Sequence, residues 1–147
     1  MYLEERKMNL FDLENQGYLF VHCISMDLAL GAGIAKTFRD KYDMKKKLFQ
    51  FKKQNPSYFI DFKYGFCVTI NNVANLITKK YYYNKPTMKT MEESLISLKK
   101  YCIIHNVNKI AMPKIGCGLD RLDWSEVLYL IQKIFSDLNI EIIVCSI

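Results

Sequence analysis

The chain has 147 residues, half of them hydrophobic and 24% charged, with six glycines and three prolines. That composition excludes a disordered, collagenous or low-complexity chain, and it suffices for one domain, residues 1–147, to bury a core without disulfides or a metal. Twenty-one basic against fifteen acidic side chains leave a formal net charge of +6, which suits an anionic partner.

No apolar run approaches the roughly 20 residues of a membrane span, and Met1–Lys7 is charged where a signal peptide turns apolar. The five cysteines are scattered without a CxxC pair, and the two histidines, His22 and His105, stand far apart. Such spacing predicts no metal site and reduced thiols, as in a cytoplasmic protein. We expect a monomer with no cofactor and no membrane contact.

In chain order, a short strand is predicted at Arg6–Asn9, then a mostly apolar strand at Tyr18–Ile24. Two helices follow, Gly33–Tyr42 and Asp43–Gln54, ended by Asn55-Pro56. Aromatic and β-branched runs predict strands at Tyr58–Phe62, Phe66–Asn71 and Ala74–Thr78. Met88, Met91, Leu95, Leu98 and Cys102 share one helical face. A strand at Lys109–Met112 leads to a second apolar face, Val127, Ile131, Ile134 and Leu138, with Asp123 and Glu126 spaced as a capping box. Ile140–Ser146 closes the chain as a buried strand. This alternation predicts an α/β fold with a mixed sheet, whose ligands would sit at the carboxyl ends of the strands.

Three segments leave strands with unusual residues. After Tyr18–Ile24, Ser25 precedes Gly31-Ala32-Gly33-Ile34-Ala35, where small residues open a helix. Such a loop is either a tight turn or a place where free helix N–H groups meet an anion. After Lys109–Met112 comes Pro113-Lys114-Ile115-Gly116-Cys117-Gly118-Leu119-Asp120, a second loop able to form a nest of N–H groups. Asp120 then sits just before the next helix, where a capping carboxylate is the more common role for an Asp. Lys79 and Lys80 end the Ala74–Thr78 strand, and alternation sends them to opposite faces. One of them can thus point into the crevice, where an amine can attack a carbonyl carbon.

Taken together, His22-Cys23-Ile24-Ser25, Gly31–Ala35, Leu76-Ile77-Thr78-Lys79-Lys80, Lys85-Pro86-Thr87 and Met112–Leu122 resemble the macrodomain family. The closest likeness is to its terminal ADP-ribose protein glycohydrolase branch, the O-acyl-ADP-ribose deacylases. The resemblance runs from about Lys7 to the C-terminus. It implies a three-layer α/β/α sandwich that binds ADP-ribose, with Lys79 as nucleophile and Asp120 as acid/base. It implies a substrate loop at Lys114, Ile115, Gly116, Cys117, Gly118 and Leu119, and a second at Gly31, Ala32, Gly33, Ile34 and Ala35 preceded by Ser25. Leu10 and Ile147 match positions at the adenosine end. Where the family commonly has an Asp that bonds the adenine amino group, this chain has Asn9, an acceptor without the charge.

The implied activity is removal of terminal ADP-ribose from acyl or nucleic-acid linkages. A phosphatase acting on ADP-ribose 1″-phosphate and a module that binds ADP-ribose without turnover are the alternatives; a mere reader needs neither Lys79 nor Asp120. Partners are therefore ADP-ribose and ADP-ribosylated protein or nucleic acid. Arg39, Lys41, Lys45, Lys46, Lys47, Lys52 and Lys53 form either a solvated helical face or a surface for DNA phosphates. Cys117 lacks a nearby histidine and is expected to be inert, and His22 to be a structural, hydrogen-bonded histidine. Tyr81-Tyr82-Tyr83 is either a partly exposed loop or a surface that flanks the ligand or stacks on a base, and Trp124 is expected to pack at its helix start.

Overall fold

In the computed structural model, which describes residues 1–147, six strands form one sheet. They are β1 (Tyr2–Lys7), β2 (Leu19–Ser25), β3 (Phe66–Ile70), β4 (Val73–Lys79), β5 (Lys109–Met112) and β6 (Glu141–Ser146). The helices are α1 (Gly33–Tyr42), α2 (Met44–Gln54), α3 (Met88–Ile104) and α4 (Trp124–Phe135). Sheet order is β1-β6-β5-β2-β4-β3, parallel except for β3, which runs antiparallel to β4. The sheet is mixed, as expected.

Strand alternation builds two cores. Leu19, Val21, Leu76, Ile110, Met112, Ile142 and Val144 meet α3 and α4 on one face. Phe20, Ile24, Val73, Ile77, Ala111 and Ile143 meet α1 and α2 on the other. Because β2, β4, β5 and β6 are covered on both sides, their runs are mostly apolar, and the domain is a three-layer α/β/α sandwich.

Several elements depart from the sequence expectation. The first strand is Tyr2–Lys7 rather than Arg6–Asn9. It is a largely exposed edge strand whose ladder to β6 needs only backbone groups, so its charged residues are tolerated. Tyr58–Phe62 is no strand: Pro56 opens a 3₁₀ turn, Pro56–Phe59, and Phe59 is buried in the core on the α1–α2 face of the sheet. Aromatic content there serves packing, not pairing. α4 stops at Phe135, short of Leu138. Its Asp123 cap bonds the Ser125 N–H rather than forming the expected box, whereas Thr87 and Thr90 make a reciprocal box on α3. Trp124 opens α4 and donates its indole N–H to Glu5 at 2.8 Å.

His22 is fully buried between layers, stacked on Phe38 with ring centroids 4.0 Å apart. Asn75 donates to the Val68 carbonyl at 3.0 Å, so its Oδ1 accepts from His22 Nε2 at 2.6 Å. The Nδ1 atom is left without a partner. Burial pushes the imidazole down from its ordinary 6.5 to about 4. The unfolded chain therefore takes up a proton first as pH falls from 6.5 toward 4, and the folded state loses stability through that window, by about 3 kcal/mol when complete. His22→Gln should flatten that part of the stability curve, which urea unfolding at pH 7 and pH 4.5 would measure. A variant with the wild-type pH slope would show that His22 is not its source.

Candidate active site

Since β5, β2 and β4 are adjacent and parallel, their carboxyl ends lie along one edge of the sheet. Both glycine loops and Lys79 therefore meet there. β2 and β4 shift register between Ile24 and Ser25, so that Ser25 pairs with Lys79. The Met26 N–H then bonds the Lys79 carbonyl at 2.8 Å, and the Asp27 N–H bonds that of Lys80 at 3.1 Å.

Alternation separates the two lysines. Lys79 keeps only 14% of its side-chain exposure, and Lys80 is exposed. Lys79 Nζ reaches Asp120 Oδ1 at 2.6 Å across 41 positions of sequence, and Asp120 is itself only 17% exposed. Asp120 is thus engaged by a lysine and does not cap α4; that role falls to Asp123. A primary amine in hydrogen-bond contact with a carboxylate can be relieved of a proton without solvent, and can then attack an electrophilic carbon.

The loop before α1 carries two buried leucines in left-handed backbone, Leu28 at φ 58° and Leu30 at φ 43°. Such strain persists only where surrounding packing imposes it. It delivers the chain to Ala32 and to Gly33, whose own φ is +60°. No side chain caps α1, and the N–H groups of Gly33, Ile34 and Ala35 have no backbone partner outside the helix. These donors and the positive end of the helix dipole suit an anion. In the second loop Gly116 adopts φ +72°, and a Cβ there would lie 2.7 Å from Met91 Cε. Leu119 comes from this loop to within 3.7 Å of where a Gly33 Cβ would stand, so the two loops touch.

Beside them opens a cavity of about 560 Å³ over β6 and β5, lined by Asn9, Leu10, Ile34, Lys114, Cys117, Gly118 and Ile147. These seven of the predicted residues share one cavity. Ile115 instead points into the core at 2% exposure, and Ser25, 4% exposed, spends its hydroxyl on Asp27. Asn9 Oδ1 accepts the Phe11 N–H at 2.9 Å and caps a 3₁₀ turn, Leu10–Leu13. A hollow of about 600 Å³ at the β3 edge, between Tyr58, Tyr64 and Ser97, is lined by none of the predicted residues.

Sequence reading missed Met8, Phe11, Thr37, Cys145 and Ser146, which also line the cavity. They come from the bend after β1, the Leu10–Leu13 turn, α1 and β6, which only folding assembles. It also missed Asp27, whose Oδ1 takes the Ser25 hydroxyl at 2.5 Å and the Ala29 N–H at 3.2 Å, while Oδ2 takes the Tyr82 N–H at 2.9 Å. One carboxylate thereby pins the first loop to the segment that follows Lys79. Burial raises the thiols of both Cys23 and Cys117 above their ordinary value, so neither is a ready nucleophile near neutral pH. No group of His, Cys, Asp and Glu side chains is placed to hold a metal ion, and no helix is long and apolar enough to cross a membrane.

No family model matches the chain. Among curated proteins, bovine (Bos taurus) ADP-ribose glycohydrolase OARD1 is 37% identical over 124 residues, covering 84% of this chain and 78% of its own. The human (Homo sapiens) protein is likewise 37% identical, with the same coverage. Among solved structures, the macrodomain of Thermus aquaticus DarG superposes with a TM-score of 0.80 at 23% identity, covering 99% of this chain and 98% of that one. Thermosipho africanus DarTG in complex with ADP-ribose gives 0.76 at 18% identity over 99% of this chain and 42% of that one. With the macrodomain architecture in place and 37% identity to two ADP-ribose glycohydrolases over 84% of its length, the chain belongs to the OARD1 branch of the macrodomain family and is a hydrolase.

Proposed function

We propose that the protein removes terminal ADP-ribose from acyl linkages, on glutamate or aspartate side chains or as O-acetyl-ADP-ribose, or from nucleic acid, with Lys79 as nucleophile and Asp120 as acid/base. The observation that carries this reading is the 2.6 Å contact between two largely shielded groups at the strand edge, beside the uncapped N-terminus of α1. The diphosphate would lie against the N–H groups of Gly33–Ala35 and the Gly116–Gly118 loop, and the adenosine in the cavity bounded by Asn9, Leu10 and Ile147.

In the first step Lys79 gives a proton to Asp120 and its amine attacks C1″ of the distal ribose. The C1″–O bond breaks, and its electron pair leaves on the acyl oxygen as carboxylate. Asp120 releases the proton to solvent and then takes one from a water molecule, which attacks C1″ as the Lys79 amine departs. Transfer of that proton to Lys79 restores the ion pair. The balance is one ester and one water in, ADP-ribose, a carboxylate and a proton out.

Wild-type protein given O-acetyl-ADP-ribose, an ADP-ribosylated oligonucleotide and ADP-ribose 1″-phosphate should release ADP-ribose from the first or second much faster than phosphate from the third. Faster phosphate release would make it a phosphatase. Tight ADP-ribose binding with no turnover of any substrate would make it a reader.

The basic residues of α1 and α2 are part of the same reading, as a surface for phosphates. α1 starts at the site, and at 1.5 Å per residue Arg39 and Lys41 stand roughly 9–12 Å along it. Arg39 is paired with Asp40 at 2.9 Å and Lys41 with Glu14 at 3.6 Å, so the free charges are mainly those of α2.

A further inference from the structure

Beyond Lys79 the chain turns through Tyr81-Tyr82-Tyr83-Asn84, and the three rings are 40%, 66% and 68% exposed. The turn is firmly tied. The Tyr81 N–H bonds Asn84 Oδ1 at 2.9 Å, the Asn84 N–H bonds the Tyr81 carbonyl at 3.0 Å, and Tyr82 is held by Asp27. Tyr81 and Tyr83 are stacked with centroids 5.4 Å apart and planes within 11°, while Tyr82 meets Tyr83 edge-on at 86°. The Lys80 ammonium stands 5.4 Å from the Tyr81 ring centre. None of these rings serves the two cores.

Their place in the topology gives them a direction. Along the carboxyl edge, the cavity lies over β6 and β5, the glycine loops leave β5 and β2, Lys79 ends β4, and the tyrosine turn follows β4. A ligand laid from the cavity across the loops to Lys79 therefore has its leaving group at the β4 end, where the tyrosines are. Lys79, Lys80, Lys85 and Lys89 fall within Lys79–Thr90, which contains no acidic residue. The carboxylate that does reach this turn, Asp27, is occupied by three donors. Exposed, rigid aromatic rings among Lys80, Lys85 and Lys89, which form no ion pair, match the flat bases and phosphates of a single strand.

We propose that Tyr81 and Tyr83 form a stacking platform for a base of the single-stranded nucleic acid that carries the ADP-ribose, with Lys80 and Lys85 toward its phosphates. The proposal rests on the reading of Lys79 as the residue at the distal ribose. An ester of an aliphatic carboxylate presents no ring to this surface and would not use it.

The test is binding in the Lys79→Ala background, so that turnover does not consume the ligand. A short single-stranded oligonucleotide bearing one ADP-ribose is titrated against free ADP-ribose and an ADP-ribosylated glutamyl peptide. The oligonucleotide should bind tighter than free ADP-ribose by roughly 5- to 150-fold, the worth of one stacked base. Tyr81→Leu with Tyr83→Leu should remove that advantage and leave the affinity for free ADP-ribose unchanged, and Tyr81→Phe with Tyr83→Phe should keep it. Equal affinity for oligonucleotide and free ADP-ribose, an advantage that survives the leucine pair, or a tyrosine-dependent preference for the peptide would each overturn the proposal. Loss of turnover by the wild-type enzyme on every ADP-ribosyl substrate bears instead on the hydrolase mechanism, since this measurement requires only binding.

Discussion

Replacing Lys79 by alanine should lower turnover of an ADP-ribosyl ester by about 10³-fold or more while ADP-ribose still binds. On the proposed mechanism the side chain supplies the attacking amine, and Lys79 belongs to neither glycine loop, so its loss should act on kcat rather than on affinity. Asp120→Asn keeps the size of its partner but cannot accept the proton of the ammonium or of the second-step water. Its turnover should fall by about 10²–10⁴-fold, the usual worth of a positioned acid/base. The two variants differ in what accumulates. With Asp120→Asn, whatever attack still occurs leaves a lysyl adduct that water removes slowly, and denaturing mass spectrometry of the quenched protein should find ADP-ribose on Lys79. Lys79→Ala should show no adduct. Near wild-type turnover by Lys79→Ala would remove the nucleophile role. A tenfold loss of ADP-ribose affinity in that variant would mean that Lys79 works mainly in binding.

The second large effect is on folding. Gly65→Ala should destabilise the protein by about 3 kcal/mol or more, measured by urea unfolding. A Cβ on Gly65 would overlap the Thr90 carbonyl oxygen and lie 3.2 Å from the Ser94 N–H nitrogen. Both are helix backbone, so α3 and the start of β3 must separate rather than a side chain rotate. Gly118→Ala is the matching control, since a Cβ there meets nothing within 4 Å and φ is not left-handed. It should leave unfolding within about 0.5 kcal/mol of wild type, as exposed substitutions usually do. If Gly118 lines the ligand cavity as the geometry indicates, its alanine variant should nevertheless bind ADP-ribose more weakly. Equal destabilisation by the two substitutions would contradict the packing of α3 against β3.

The buried strands were the most legible part of the chain. Leu19–Ser25 and Glu141–Ser146 are largely apolar on both faces because they lie in the interior of a covered sheet, and a run of that kind has few other uses. The edge was the least legible. Tyr2–Lys7 carries charges since no layer covers it, and Tyr58–Phe59 carries strand-like residues that fold as a turn behind Pro56. Pattern reports burial well and pairing poorly.

By itself, the sequence determined which chemical groups are present and where the backbone is allowed to bend: Lys79 at a strand end, glycines at Gly33 and Gly116 where φ is positive, and an Asp four residues beyond Gly116. Those are local properties, set by residue type and near neighbours. Only the tertiary structure decided that Lys79 meets Asp120 across β2, that Asp27 ties the first loop to the tyrosine turn, and that Asn9 and Ile147 face one cavity. The reason is the order of the sheet. Strands adjacent in space are β6, β5, β2 and β4, an order that periodicity along the chain does not encode, and a site made at their carboxyl ends exists only once they are paired.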